Sequence, residues 1–332
     1  MTDRIETAAG TAPRAAAAPE RRVAAGWWWG LLVFVVLALL PLAAADTFFL
    51  TMTTGMLIAA LAAASLHLII RTGHVSLGHA AFMGVGAYTG TLTLTVLHWP
   101  FVLSAAAGFI APMLLALVIG PLVLRLTGKY FVLVTFLFGE IVRLAMDNWQ
   151  SLTGGANGIF QIPAPPGFTD QVPFFYLTLA ITSLVLLGIA RILGSEIGRA
   201  MDAVRQSERL AQCSGIPVLK VKVSIFVFAC GLVGLAGVLQ AWFVHFIDPG
   251  SFSAVQSLNF LVINVLGGMY SLVGTLMGTV FLTVLPELLR SYVELQRVIF
   301  GIILIIVMAA LPGGLAEAGV RVRRLLARRR AA

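Results

Sequence analysis

Long apolar stretches alternate with short polar ones along almost the whole chain. A helix of about 20 apolar residues crosses the hydrocarbon core of a bilayer. By that measure the pattern predicts an all-α polytopic membrane protein with about ten transmembrane helices. The ten predicted spans cover roughly residues 27–45, 48–70, 74–97, 101–124, 130–147, 173–193, 223–244, 256–272, 273–289 and 296–312.

The same pattern divides the chain into three parts. Residues 1–26 are Ala-rich with scattered charges, and we expect a disordered cytoplasmic tail there rather than a signal peptide. Three consecutive tryptophans at 27–29 mark a water–lipid boundary, where indole rings are favoured. The transmembrane domain is expected to cover 27–312 and to be followed by a basic cytoplasmic tail, 313–332.

Composition excludes the ordinary soluble classes of protein. The 332 residues are 59% hydrophobic and only 11% charged, whereas a soluble protein is about a quarter charged. In so apolar a chain, the net charge of +8 indicates first which loops lie on the cytoplasmic side, and it does not by itself indicate a nucleic-acid partner. Two cysteines are too few for a disulfide framework.

The positions of Lys and Arg set the orientation of the spans, because loops rich in these residues stay on the cytoplasmic side. With ten crossings and both termini inside, 19 of the 22 Lys and Arg residues lie on that side. If 74–97 were a re-entrant segment that does not cross, 14 of these cations would move outside. The charges favour ten crossings, and a broken third helix that still crosses remains open.

Two predicted spans are interrupted by glycine and polar residues, one in each half of the chain. The interruptions lie within 71–90 and within 264–278. Polar backbone at membrane depth must face protein or a water-filled path, and paired interruptions in two halves favour an inverted repeat around a central path. Glycines at such spacings also serve helix packing alone. Both interpretations stay open.

Glu140 and Arg143 are three residues apart in the fifth span and share a helix face. Ionisable groups inside a membrane usually pair with one another. A structural ion pair near the outer end is the preferred interpretation, because no series of further acids continues through the membrane to form a proton relay.

The longest polar segment on the predicted cytoplasmic side is 191–222, and its central part has apolar residues near helical spacing. Arg205, Glu208 and Arg209 are expected to be exposed on this helix. Gly215, followed by Ile and Pro, is expected to end it. Such a helix can dock in a groove of another protein or lie on lipid headgroups, and spacing alone does not decide between them.

The sequence contains no recognisable catalytic or ATP-binding motif. It has no P-loop, because Gly128-Lys129 is followed by Tyr130 and lacks the upstream glycine. His74 and His79 are five residues apart, a poor spacing for sharing a metal, and no Gly-x-Ser-x-Gly turn occurs. We therefore expect a chain that is not an enzyme and that holds no metal and no cofactor.

Several stretches resemble one known family, in the same order along the chain. They are SLGHAAFMGVGAYT from Ser76, YFVLVTFLFGEIVR from Tyr130, LTGGANG from Leu152, the loop from Gly198 to Ile216, and, in the second half, Pro249, Phe252, Gly267, Gly268, Gly274, Gly278, Pro286, Glu287 and Leu288. From about residue 50 to residue 313, the chain resembles the LivM-type permeases of branched-chain amino acid ABC importers.

This resemblance implies a type II ABC-importer-like permease that works by alternating access, with ATP hydrolysed on separate subunits. The expected partners are a second, related permease, two cytoplasmic ATPases and an extracytoplasmic substrate-binding protein, at a bacterial inner membrane. The expected substrates are branched-chain, hydrophobic amino acids. A permease of the same family for urea, amides or another small solute, or an ion-coupled secondary transporter, are the alternatives.

With the resemblance in place, the interrupted spans and the cytoplasmic loop become candidate sites. The candidates for the translocation path are Ser76, Gly78, His79, Asn264, Gly267 and Gly268. Coupling to the ATPases is assigned to Arg205, Glu208, Arg209 and Gly215. Glu140 and Arg143 are expected to form the structural ion pair.

Overall fold

The computed structural model describes residues 47–290, 296–310 and 314–316. The first predicted span and the predicted tail 1–26 lie outside these residues. The same holds for the predicted tail 313–332, apart from residues 314–316.

Helices make up most of the described chain. They are α1 (Thr47–Arg71), α2 (His79–Thr95), α3 (Phe101–Val123), α4 (Lys129–Asn148), α5 (Gln150–Thr153), α6 (Gln171–Gly194), α7 (Glu196–Gln206), α8 (Glu208–Cys213), α9 (Val218–Val244), α10 (Ala254–Gly267), α11 (Leu272–Leu288) and α12 (Gln296–Ala310). Two 3-10 turns, Gly155–Asn157 and Pro249–Phe252, and two short strands, β1 (Ile159–Phe160) and β2 (Phe246–Ile247), lie between them.

Four of the described helices, α1, α3, α6 and α9, are long and apolar enough to cross a membrane. They confirm the predicted spans 48–70, 101–124, 173–193 and 223–244. Helices α10 and α11 meet this criterion only together, as one broken span or a re-entrant loop, because they are bent by 118° at a short break. The chain is thus a multi-pass, mainly helical membrane protein, and the count of ten spans and the inverted repeat stay predictions.

Three other predicted spans correspond to helices α2, α4 and α12. Helix α2 has 17 residues, the short limit for a crossing helix. Helix α12 is described over 15 residues, and the residues on either side of it lie outside the described ranges. Helix α4 is long enough, but it contains Lys129, Glu140, Arg143 and Asp147. Charges of this kind are rare in lipid-facing spans and usually mark faces that contact protein or water.

Helix α1 lies at the centre of the described fold. In its most apolar stretch 83% of the residues are buried, against 67% for α9, 33% for α6 and 22% for α3. The small side chains of Ala60 and of Ala62 to Ser65 allow other helices to approach its backbone closely. The arrangement therefore surrounds α1 with protein and leaves α3 largely at the periphery.

Glycines hold α2, α3 and α9 together at close distance. A side chain on Gly86 of α2 would overlap the backbone of Gly234 in α9. Gly237 of α9 lies equally close to the carbonyl group of Met83, and a Cβ on Gly108 of α3 would overlap Val238. These contacts are the small-residue packing expected where apolar helices associate inside lipid.

The segment between α1 and α2 is irregular and runs back along α1. Helix α1 ends at Arg71, yet the first residue of α2, His79, contacts Ser65 by a hydrogen bond of 2.7 Å. Ser65 is six residues before Arg71, or about 9 Å along the helix axis. Residues 72–78 therefore return to the depth of the last turns of α1, which agrees with the predicted broken third span.

A two-residue antiparallel pairing fixes the segment between α4 and α6. Strand β1 pairs with β2 through Ile159 opposite Ile247 and Phe160 opposite Phe246, and the two phenylalanine rings stack at 4.6 Å. His245, in the left-handed region at φ +59°, ends α9 and lets the chain turn into β2. The bridge is the only strand pairing in the described ranges of this otherwise helical chain.

Candidate functional site

A buried polar cluster joins α1, α10 and α11. The hydroxyl of Thr275 in α11 donates to Asn264 Oδ1 at 2.9 Å and lies 3.2 Å from His67 Nδ1 of α1. Asn264 Nδ2 donates to the carbonyl oxygens of Ala63 and Phe260, at 3.0 and 2.9 Å. Because a hydroxyl has one proton, Thr275 can donate to Asn264 while His67 Nδ1 donates to Thr275.

A second polar contact joins α1 to the start of α2. Ser65 donates to the carbonyl oxygen of Ala62 at 2.7 Å, and His79 Nε2 lies 2.7 Å from the same serine oxygen. With the serine proton committed to Ala62, the His79 ring donates through Nε2 and presents Nδ1 as an acceptor. Ser65 and His67 are two residues apart on α1, so this helix carries both contacts.

Three fully buried polar atoms in this region have no partner within the described residues. They are His67 Nε2, Ser76 Oγ and His79 Nδ1. An unpaired polar group buried in an apolar setting costs free energy, about 1–3 kcal/mol in proteins. Such groups are the ones expected to interact with a polar solute or with water when the helices change their arrangement.

Gly78 and Gly267 occupy close helix contacts. A Cβ on Gly78 would overlap the carbonyl oxygen of Thr135 in α4, and one on Gly267 would overlap the carbonyl oxygen of Gly274 in α11. Gly268 has φ +118° and ends α10, a backbone conformation that other residues rarely adopt. In this conformation the glycines therefore serve helix packing. They can line a path only if the helices move apart.

All six predicted path residues are buried, and they fall into two groups. Ser76, Gly78 and His79 lie along the connection from α1 to α2, and Asn264, Gly267 and Gly268 lie at the end of α10. Helix α1 contacts both groups, the first through Ser65 and the second through the carbonyl oxygen of Ala63. Sequence reasoning did not select Ser65 and His67, although two polar residues within the apolar run of α1 were the available signal.

An open cleft lies elsewhere, toward the end of α1 opposite Arg71. Its volume is about 230 Å³. It is lined by Gly55, Ile58, Ala59, Met83, Gln240, Phe243, Val244, Gln256 and Phe260. None of the six predicted path residues borders it, but it shares Phe260 with the polar cluster, since the carbonyl oxygen of Phe260 accepts from Asn264.

The predicted cytoplasmic helix consists of two helices, α7 and α8, separated at Ser207. The Ser207 hydroxyl accepts a hydrogen bond from Leu210 N and so begins α8 as its N-cap. The chain passes through Gly215, at φ +80° and exposed, before α9 begins. The expectation of one continuous helix was therefore wrong, because a serine that caps its own helix interrupts it.

The predicted coupling residues differ in exposure. Arg209 and Gly215 are exposed, as expected. Arg205 and Glu208 are not freely exposed, which corrects that part of the prediction. The guanidinium of Arg205 lies over the ring of Tyr270 at 4.2 Å, and Glu208 pairs with the buried ammonium of Lys222 at 2.5 Å.

His74, in the connection between α1 and α2, is buried beside this ion pair. Its ring meets Phe131 edge-on, with centroids 4.8 Å apart. The imidazole therefore packs as an aromatic ring.

Glu140 and Arg143 contact each other in α4, and Glu140 also reaches a second helix. Arg143 Nε donates to Glu140 Oε2 at 2.8 Å. The other carboxylate oxygen accepts from the backbone N–H of Ala254, the first residue of α10, at 3.4 Å. A carboxylate at this position satisfies an otherwise unpaired N–H group and complements the positive end of the helix dipole.

Comparison with known proteins decides the family. Residues 47–308 match the family described as the permease component of branched-chain amino acid transport systems. The chain belongs to this family. The resemblance predicted from the residue patterns is thereby confirmed, and the matched range runs from the start of α1 into α12.

Individual members of the family are similar at moderate identity. The high-affinity branched-chain amino acid transport system permease protein LivM of Salmonella typhimurium is 34% identical over 279 residues, and that of Escherichia coli K12 is 33% identical. Each alignment covers 74% of this chain and 64% of LivM, so the chain spans less than two thirds of these relatives. The LivH permease of Salmonella typhimurium is 24% identical over 73% of this chain and 85% of its own length. No match was found among solved structures.

Proposed function

We propose that this chain is a membrane-spanning permease subunit of an ATP-driven importer for branched-chain, hydrophobic amino acids. The observation that carries the proposal is the family match across residues 47–308, together with the similarity to LivM. The apolar helices α1, α3, α6 and α9 supply the membrane domain that such a subunit needs. ATP is hydrolysed on separate subunits, since this sequence has no P-loop.

In this proposal the substrate passes next to α1 when the membrane helices rearrange. The path residues are Ser76, Gly78, His79, Asn264, Gly267 and Gly268. Support comes from the unpaired atoms Ser76 Oγ and His79 Nδ1 and from two irregular backbone segments that flank the same helix. Irregular backbone at membrane depth is tolerated where it is buried in protein or lines a path.

The assembly in this proposal comprises a second, related permease, two ABC ATPases and an extracytoplasmic binding protein. The ATPases contact α8 and the turn after it, where Arg209, Leu210 and Gly215 are exposed. Leu210, 69% exposed, and Arg209 give this surface an apolar and a charged contact point. Glu208 and Arg205 then act indirectly, by fixing the positions of α8 and α7.

The orientation follows from the cation distribution in the sequence. We propose ten spans in an inverted repeat, both termini in the cytoplasm, and a location in a bacterial inner membrane. Contacts of Arg71 with Tyr270, at one end of α1, and of Arg290 with the ring of Phe48, at the other, support an antiparallel arrangement of α1 and α11. The tails 1–26 and 313–332 are on the cytoplasmic side in this arrangement.

The test is uptake by the complete complex in proteoliposomes. We expect ATP inside the vesicles to drive uptake of labelled leucine, isoleucine and valine, and substitution of the P-loop lysine of the ATPases to abolish it. Excess unlabelled urea or acetamide should not compete. Uptake that persists without ATP and collapses with the proton gradient would overturn the proposal in favour of a secondary transporter, and competition by urea would overturn the substrate assignment.

A further inference from the structure

Arg71, the last residue of α1, connects three segments that are far apart in sequence. Its Nη2 donates to Asp202 Oδ2 of α7 at 2.6 Å, and its Nη1 donates to the carbonyl oxygen of Tyr270 at 3.1 Å. Tyr270 belongs to the break between α10 and α11. The Arg71 side chain is only 16% exposed, so the contacts are partly shielded from water and salt.

Arg205, one turn further along α7, makes additional contacts with Asp202 and Tyr270. Its guanidinium lies over the Tyr270 ring, with Cζ 4.2 Å from the ring centre, and its Nε is 3.8 Å from Asp202 Oδ1. An arginine at this distance from an aromatic face makes a favourable cation–π contact. The backbone beyond Arg71 also passes near Arg205, because a Cβ added to Gly73 would lie 3.5 Å from Arg205 Cα.

These contacts reach the break beside the polar cluster. Tyr270 is two residues after Gly268, whose φ of +118° ends α10, and Ser271 begins α11 by accepting from Gly274 N. Asn264 and Thr275 stand on either side of this break and contact each other at 2.9 Å. A displacement of Tyr270 therefore changes the angle between α10 and α11 and, with it, the contacts of Asn264 and Thr275.

We propose that Arg71, Asp202, Arg205 and Tyr270 form a clamp that makes α7 and the α10–α11 break move as one unit. Resting on the proposed function, the clamp transmits the movement that the ATPases impose on α7 and α8 to the polar cluster beside α1. The four residues are positioning residues, since they act through the break. Helix α8 is held separately, through the pair of Glu208 with Lys222 of α9.

The first experiment measures amino acid transported per ATP hydrolysed by the complete complex in proteoliposomes. Asp202→Asn removes the charge that pairs with Arg71, and Tyr270→Ala removes the ring under Arg205. We expect each to lower the ratio by about tenfold, a typical size for coupling between sites. Tyr270→Phe keeps both the ring and the carbonyl group and should retain the wild-type ratio.

Glu287→Gln is the matched control. It removes a carboxylate that pairs with Arg290 at 3.1 Å, at the other end of α11, and it touches none of the four clamp residues. The ratio in this variant should equal that of the wild-type complex. A general loss of stability would lower the yield of complex in the variants but would not change the ratio in the complex that remains.

The second experiment measures the movement itself. Spin labels on cysteines at Gln206 and Val273, both exposed, report the distance between α7 and α11 in a Cys213→Ser background. With the clamp intact, we expect the same distance with and without ATP. In the Asp202→Asn and Tyr270→Ala complexes the distance should change with nucleotide.

The outcomes separate the clamp from the proposed function. A wild-type complex without ATP-driven amino acid uptake contradicts the proposed function. A transporting wild-type complex whose Asp202→Asn and Tyr270→Ala variants keep a normal ratio overturns the clamp. A distance between the labels that depends on nucleotide in the wild type overturns it as well.

Discussion

Helices α1 and α3 look alike in sequence, and the structure gives them opposite roles. Both are apolar, of similar length and able to cross a membrane. In their most apolar stretches 83% of the residues of α1 are buried, but only 22% of those of α3. The difference shows that apolar length predicts a span, whereas several polar residues within the span indicate that it is surrounded by protein.

The side chains of the two helices explain this difference in burial. Helix α1 carries Ser65 and His67 in polar contacts and ends on Arg71, which contacts two distant segments. Helix α3 presents large aliphatic side chains to its surroundings, including Leu114 and Val118, which are 58% and 78% exposed. A lipid tail can cover those side chains, but it cannot satisfy a histidine or an arginine.

The prediction with the largest expected effect compares one leucine from each helix. Leu61→Ala in α1, where the side chain is fully buried, should lower the free energy of unfolding by about 3 kcal/mol, because it leaves a cavity. Leu114→Ala in α3 should cost less than about 0.5 kcal/mol, since surrounding lipid or detergent fills the space. Reversible unfolding in mixed micelles measures both, and equal costs would contradict the burial difference.

A second prediction, with a smaller expected effect, compares two buried polar residues. Asn264→Ala removes hydrogen bonds to α1 and to Thr275, and we expect a loss of about 2 kcal/mol in the free energy of unfolding. Ser104→Ala in α3 removes a buried hydroxyl that has no partner among the described residues, so stability should not fall by more than about 0.5 kcal/mol.

A double-mutant cycle refines this comparison. Asn264→Ala combined with Thr275→Val should give a coupling of about 1 kcal/mol, typical of hydrogen bonds between membrane helices. Additive effects would show that the two residues do not stabilise the break between α10 and α11 together.

The four long spans and the family could be predicted from the sequence, but the neighbours of each helix could not. Apolar length predicts that α1 and α3 cross the membrane, yet protein and lipid are equally apolar surroundings, so the burial of Leu61 and the exposure of Leu114 required the tertiary structure. The contacts of Arg71 with Asp202 and Tyr270 join segments far apart in sequence, and no local pattern encodes them.

The candidate path was predicted where glycines made the interruptions conspicuous. That reasoning selected His79 and Asn264, which the structure places in polar contacts with or beside α1. It missed Ser65 and His67, because isolated polar residues in a long apolar helix are more often structural. Their importance becomes visible only when their partners on α2 and α11 are known.

Alternating access beside α1 is tested most directly by the reactivity of two matched cysteines. Ser76 and Ser104 are both fully buried serines without a partner among the described residues, one on the proposed path and one in α3. In the complete complex with Cys213→Ser, Ser76→Cys should react with a membrane-impermeant thiol reagent in one nucleotide state and not in the other. Ser104→Cys should be unreactive in both states. A Ser76→Cys that stays unreactive with and without ATP, like its counterpart in α3, would contradict a path at this position.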